Sequence, residues 1–176
     1  MEQSVEELTP QKNPDSVFED EDFYEKEYKR KEPGIQVVCI RLSGEWYAAE
    51  ISKAIEIIRV KQITYLPSAP SYIAGIVNVR GNILSVTDLK NLFGLTSEQA
   101  TDKSRILVVT SGGVETGLLV DEVAQVVDVS LNQMDPPLNT LSAEKANYLK
   151  GQFRLANQLI SVLNIENIIT KTKTQA

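Results

Sequence analysis

Apolar and polar residues alternate along short runs between residues 35 and 163, and turn-forming residues separate these runs. The clearest pair of runs covers residues 72–89 and flanks Gly81-Asn82. Glycine tolerates the positive φ that a two-residue type II′ turn requires at its first position. The pattern therefore predicts a β-hairpin that turns at Gly81-Asn82, with Arg80 opposite Ile83.

The two faces of this predicted hairpin differ in character. Side chains alternate between the faces of a strand, so one face is entirely apolar and is predicted to line a core. Its residues are Val77, Val79, Leu84 and Val86. The other face, called the mixed face below, combines one cation with aliphatic and polar groups, as protein interfaces do. Its residues are Ile76, Asn78, Arg80, Ile83, Ser85 and Thr87. An ordinary solvated sheet face fits this pattern equally well.

The remaining pattern predicts mostly short strands. A second hairpin turns at Ser43-Gly44, and Ser52 is a candidate N-cap for a helical turn that runs into a strand. A short helix is predicted from its Asp88 cap to Gly94. Further strands are predicted at residues 61–66, 105–110, 114–120, 123–129 and within 148–163, with one helical turn at 142–147 and a polar C-terminus.

An internal repeat determines the predicted architecture. Residues 72–75 read Tyr-Ile-Ala-Gly and residues 148–151 read Tyr-Leu-Lys-Gly, and in the same step Gly81-Asn82 falls on Asn157-Gln158. Two small antiparallel β-barrels related by duplication account for the repeat. The first is expected mainly from 35–95 and the second mainly from 104–165, with an exchange of strands between them left open.

The charge of the chain is concentrated at its N-terminus. The net charge is −6, and residues 1–32 hold 11 acidic and five basic side chains, which leaves 13 of each in the rest. Residues 1–34 are predicted to form a disordered acidic tail. A small β-barrel that binds nucleic acid is an alternative function, but it would need a basic groove and aromatic platforms, and the neutral remainder does not favour it.

The sequence contains no histidine, which removes the usual general base and the commonest metal ligand. Cys39 is the only cysteine and is predicted to be a core residue. We therefore expect no enzymatic activity and no cofactor. No apolar run approaches the roughly 18 residues of a membrane span, and the first residues are acidic, so we expect a cytoplasmic protein with no direct membrane insertion.

The chain resembles the CheW family of bacterial chemosensory adaptors. The resemblance is carried by the proline-containing corner at 66–70, by the Gly-apolar-Asn-apolar-Arg-Gly motif at 75–81, and by the strand at 83–89. It extends over about residues 36–169 and implies a fold of two five-stranded barrels. The implied role is a non-enzymatic adaptor between the cytoplasmic tips of methyl-accepting chemoreceptors, which are helical hairpins, and the regulatory domain of a CheA-like histidine kinase.

The resemblance also implies site residues. Arg80 matches the arginine that the family presents to the receptor, with Ala54, Glu56, Gly75 and Asn78 at neighbouring motif positions. Together with the two isoleucines of the mixed face, these give the candidate partner-binding residues Ala54, Glu56, Gly75, Ile76, Asn78, Arg80 and Ile83.

Overall fold

A computed structural model describes residues 33–96, 99–138 and 142–173. The described part contains ten strands and three short α-helices, and the predicted acidic tail lies almost entirely outside it. The helices are α1 (Leu89–Phe93), α2 (Ala143–Ala146) and α3 (Ile165–Lys173). The strands are β1 (Gly34–Leu42), β2 (Glu45–Glu50), β3 (Ala54–Arg59), β4 (Ile73–Val79), β5 (Asn82–Asp88), β6 (Arg105–Ser111), β7 (Val114–Val120), β8 (Glu122–Ser130), β9 (Leu149–Leu155) and β10 (Gln158–Leu163).

The strands form two five-stranded sheets, which confirms the predicted all-β class. The first sheet has the order β8-β1-β2-β10-β9 and the second has the order β3-β6-β7-β5-β4. Each sheet thus combines strands from both halves of the sequence. The joining pairs, β2 with β10 and β5 with β7, are parallel, whereas the other pairs are antiparallel.

Three apolar clusters hold the sheets together. One lies within the first sheet and contains Cys39, which is 2% exposed, as predicted for a core residue. A second lies within the second sheet and contains Val77 and Val86. The third and largest joins both sheets to α1 and α3, and it includes Ile40 of β1, Leu107 of β6 and Ile168 of α3. Strand β1 is therefore buried on both faces, which explains its nearly continuous apolar sequence.

The central hairpin has the predicted faces but a different turn. The two turn residues are Arg80 and Gly81, with φ of 53° and 92°, because Val79 pairs with Asn82. Positive φ at both positions defines a type I′ rather than a type II′ turn. Between Gly75 and Val79 the new register moves each residue's partner by two positions, so these strand residues and their partners keep their predicted faces. The apolar face is buried as predicted.

The repeat persists through the second hairpin and one helix beyond it. The turn at Ala156-Asn157 corresponds to Arg80-Gly81, and Leu155 pairs with Gln158 as Val79 pairs with Asn82. After β10, Asn164 accepts a hydrogen bond from the Asn167 backbone N–H and begins α3. The prediction of a polar C-terminus was therefore wrong, because three isoleucines of α3 are buried in the core that joins the sheets.

Three smaller predictions had different outcomes. Helix α1 has the predicted Asp88 cap and ends at Gly94 in the left-handed conformation. The N-cap of the 3₁₀ turn at Ile51–Lys53 is Glu50, so the assignment of Ser52 was wrong. The predicted strand at 61–66 is reduced to one bridge, in which Thr64 and Ile76 exchange backbone hydrogen bonds of 2.8 and 2.9 Å. Closure of either sheet into a barrel stays a prediction.

Candidate partner-binding site

The hairpin turn displays Arg80 to solvent because the backbone around it is fixed. The side-chain Oδ1 of Asn78 accepts a hydrogen bond of 2.8 Å from the Gly81 N–H and so braces the turn from within. The Arg80 side chain is 82% exposed at the tip. In the second copy of the repeat the corresponding positions are Arg154 and Ala156, so this arrangement occurs in the first copy alone.

An ion pair orients the Arg80 guanidinium. Its Nη2 lies 2.9 Å from Oε2 of Glu56 on β3. Glu56 lies on β3, one edge of the second sheet, and Arg80 lies in the turn after β4, the other edge, so the ion pair links the two edges through these side chains. A pair this exposed contributes about 0.5 kcal/mol or less to stability. Its main physical effect is to hold the guanidinium in one direction.

Aliphatic side chains border this charged pair. Ile83 is 60% exposed and lies directly opposite Asn78, whereas Ile76 is half-buried opposite Ser85. The mixed face is shorter than predicted, because Thr87 is fully buried. Thr87 pairs with Leu118 of the parallel strand β7, and Leu118 is also fully buried. This end of the mixed face is therefore covered by the rest of the protein.

Two of the predicted residues lie below the surface. Gly75 is buried, and a Cβ placed on it would come within 2.2 Å of the Thr64 carbonyl oxygen. Ala54 is half-buried and packs against the core that joins the sheets. The structure thus brings Glu56, Asn78 and Arg80 together with Ile83, and it places Gly75 and Ala54 in supporting positions.

Strand β3 carries a second exposed group that the sequence prediction missed. Ile55 and Ile57 are each 47% exposed and point away from the side that carries Glu56. Strand β3 is an edge of its sheet, and its partner among the described strands is β6. The alternation of residues 54–59 already contained this information, because one side of the strand reads Ala-Glu-Ile and the other Ile-Ile-Arg.

The described residues contain no cluster of three or more His, Cys, Asp or Glu side chains that could hold a metal ion. In the same part of the chain, no helix has the length and apolar character needed to cross a membrane. The arrangement at the hairpin consists of an oriented cation, an amide and exposed aliphatic groups. Such a surface can bind a protein segment that offers both an acidic or polar group and apolar side chains.

Comparison with known proteins agrees with this fold and its motifs. The "Chemotaxis protein CheW" of Helicobacter pylori is 29% identical over 137 residues, which cover 78% of this chain and 82% of that protein. "Protein PilI" of Pseudomonas aeruginosa is 28% identical over 116 residues, covering 66% of this chain and 65% of that protein. The crystal structure of scaffolding protein TtCheW from Thermoanaerobacter tengcongensis superposes with a TM-score of 0.70 at 28% identity and covers 78% of this chain and 89% of that one.

The sequence profile of the CheW-like domain matches residues 36–173, which include both hairpins, both sheets and α3. This match covers well over half of the chain, and the two-sheet structure matches that of the solved scaffold. The chain therefore belongs to the CheW-like domain family.

Proposed function

We propose that this protein is a cytoplasmic adaptor that joins chemoreceptor tips to the regulatory domain of a CheA-like histidine kinase. It acts by binding rather than by catalysis, in chemotaxis or in type IV pilus motility. The observation that carries the proposal is the braced turn in which Arg80 is 82% exposed and held by Glu56. Family membership and the similarity to a scaffolding protein support it.

The receptor is assigned to the surface formed by Glu56, Asn78, Arg80 and Ile83, called the hairpin surface. A receptor tip is a helical hairpin, and a helix binds a groove or ridge through apolar anchors spaced along one face. Ile83 supplies an exposed anchor, while the Arg80–Glu56 pair offers one group of each charge. Charged groups of this kind fix register and orientation more than they add affinity.

The kinase domain is assigned to the isoleucine pair of β3, Ile55 and Ile57. An adaptor must bind two partners at once, so it needs a second surface that the first partner leaves open. These side chains point away from Glu56 and lie on an edge strand. Exposed aliphatic residues on a sheet edge favour contact with another folded sheet or strand.

Two charge-introducing variants test the assignment separately. We expect Arg80→Glu to abolish binding of a receptor-tip fragment, since truncating a central arginine alone costs on the order of 2 kcal/mol and charge reversal costs more. Ile57→Lys is expected to abolish binding of the kinase regulatory domain. Each variant should keep the partner that the other loses, as measured by isothermal titration calorimetry.

Folding controls complete the test. Both sites are exposed, so the melting temperature of each variant should stay within a few degrees of wild type. Arg154→Glu on β9 is the matched control, because Arg154 is exposed and occupies the Asn78 position of the second repeat. If the wild-type protein binds neither partner, the adaptor role is wrong; if both variants lose both partners without unfolding, the assignment of two surfaces is wrong.

A further inference from the structure

A polar cleft lies at the end of β3 near the beginning of β6, and the adaptor role does not use it. Its volume is about 400 Å³, and its lining residues are Arg59, Val60, Thr101, Asp102, Ser104 and Arg105. Two of these six residues are arginines and one is an aspartate. The cleft therefore has an excess of positive charge, although residues 33–176 as a whole hold 13 acidic and 13 basic side chains.

The two arginines face each other directly. Arg59 of β3 pairs with Arg105 of β6 in the antiparallel ladder, so their Cβ atoms are roughly 5 Å apart on the same face. Like charges in this position destabilise a sheet. Within residues 33–96, 99–138 and 142–173, neither guanidinium has a carboxylate oxygen within 4.0 Å. Real proteins break local rules of this kind at functional sites.

The protein fixes one of these arginines in place. Nη1 of Arg105 donates hydrogen bonds of 2.8 Å to the carbonyl oxygens of Asp102 and Ser104. Guanidinium carries five N–H donors, so the remaining donors of Arg105 are oriented but unused within the described residues. Arg59 is exposed, and its guanidinium makes no hydrogen bond within the described residues. One arginine is thus rigid and the other is free to close on a ligand.

Two hydroxyl groups complete the lining. The Oγ of Ser104, a residue that is 3% exposed, accepts a hydrogen bond of 2.8 Å from the Thr101 N–H. The Oγ1 of Thr101 accepts one of 3.3 Å from the Lys103 N–H. Both hydroxyls act as acceptors in these bonds, so each retains its own O–H as a donor. Guanidinium and hydroxyl donors around one cleft match the acceptor oxygens of a phosphate group.

We propose that this cleft binds a multivalent oxyanion of the phosphate type, held between the guanidinium groups of Arg59 and Arg105. The bound anion neutralises the repulsion between the arginines, so binding and stability are coupled. Asp102 opposes the anion and limits its affinity. The exposed side chains of Lys61 and Lys103, each two residues from an arginine, add to the attraction of an approaching anion.

Pyrophosphate is the probe, titrated at low ionic strength into the ¹⁵N-labelled protein while NMR shifts and thermal unfolding are followed. We expect saturable shifts at residues 59–60 and 101–105 and a rise in melting temperature. Arg59→Gln should weaken binding about tenfold, since it removes a pair of charge-assisted hydrogen bonds. Asp102→Asn should tighten binding, and Arg154→Gln, which removes an exposed arginine of β9, should leave it unchanged.

A second readout separates a binding site from a structural role. Without anion, Arg59→Gln should be at least as stable as wild type, because it relieves the like-charge repulsion. A peptide with one phosphoserine serves as the other probe. If pyrophosphate binds more tightly than the peptide, the ligand is a free phosphate compound. If the peptide binds more tightly, the phosphate is carried by a protein. Either result supports the site. Absence of localised shifts with both probes, or equal weakening by Arg59→Gln and Arg154→Gln, would overturn the proposal.

Discussion

Gly75 allows no side chain, and the structure gives the cost of adding one. In Gly75→Ala the new Cβ would lie 2.2 Å from the Thr64 carbonyl oxygen, 2.8 Å from Ile63 Cγ2 and 2.9 Å from the Thr64 carbonyl carbon. Two of these atoms belong to the backbone, so no side-chain rotation relieves the contact. The segment around Thr64 must move by roughly 1 Å to restore a normal contact of about 3.5 Å.

That movement breaks the bridge between Thr64 and Ile76, whose two hydrogen bonds measure 2.8 and 2.9 Å. Each such bond contributes about 1 kcal/mol. Gly75 also has a φ of +145°, a conformation that costs an alanine about 1–2 kcal/mol. The sum predicts a loss of about 3–4 kcal/mol in unfolding free energy, or roughly 10 °C in melting temperature.

Urea unfolding followed by circular dichroism measures this loss. Gly113→Ala is the matched control. Gly113 has a φ of +76°, but nothing lies within 4 Å of its Cβ position, so this substitution costs only the free energy of placing an alanine at positive φ. Gly151→Ala, at the corresponding place in the repeat, should fall between the two, with its Cβ 2.7 Å from the Asp135 carbonyl oxygen. A Gly75→Ala protein no less stable than Gly113→Ala would refute the reasoning.

Two further predictions concern buried groups. Burial has the largest effect on the Tyr47 phenol and raises its pKa above the usual 10.0, and the hydrogen bond to Glu45 and the charge of Glu45 raise it further. The unfolded state therefore loses this proton at a lower pH than the folded state does. The free energy of unfolding should consequently fall as pH rises above 10. Tyr47→Phe should reduce this decline in urea titrations at pH 8 to 11, and identical slopes for both proteins would count against it. Burial also raises the pKa of the Cys39 thiol and shields it from solvent. A soluble disulfide reagent should therefore modify Cys39 within minutes in urea and hardly at all in the native protein. Rapid labelling of the native protein would contradict the burial of Cys39.

The sequence predicts the faces of the central hairpin more reliably than its turn. Period-two alternation puts Val77 and Val86 on the same face in any register displaced by two positions, so hydrophobicity alone cannot distinguish these registers. The choice depends on whether Arg80 accepts a positive φ. Here the Asn78 side chain braces the turn, which makes that conformation acceptable for a residue other than glycine.

The exchange of strands between sheets is a non-local property. The parallel pairing of β5 with β7 joins residues about 30 positions apart, and that of β2 with β10 joins residues more than 100 apart. No local pattern specifies these partners. By contrast, α3 was detectable, because Asn164-Ile165 repeats the position of Asp88-Leu89 and offers the same kind of N-cap.

The structure places some of the candidate residues where alternation predicts them and others at a depth that alternation does not predict. The exposure of Arg80 and Ile83 follows from their places in the hairpin. The burial of Gly75 does not, because Thr64 covers it from a segment eleven residues away. The ion pair between Arg80 and Glu56 likewise links residues from the two edges of the sheet, a proximity that the sequence does not specify.

Bridging of two partners by one adaptor molecule is the central claim, and analytical ultracentrifugation of a three-component mixture tests it directly. With wild-type protein, a receptor-tip fragment and a kinase regulatory domain should sediment together in one ternary complex. Arg80→Glu should leave only the adaptor–kinase pair, and Ile57→Lys only the adaptor–receptor pair. Competition between the two partners for the wild-type protein, with no ternary species at any concentration, would contradict the account.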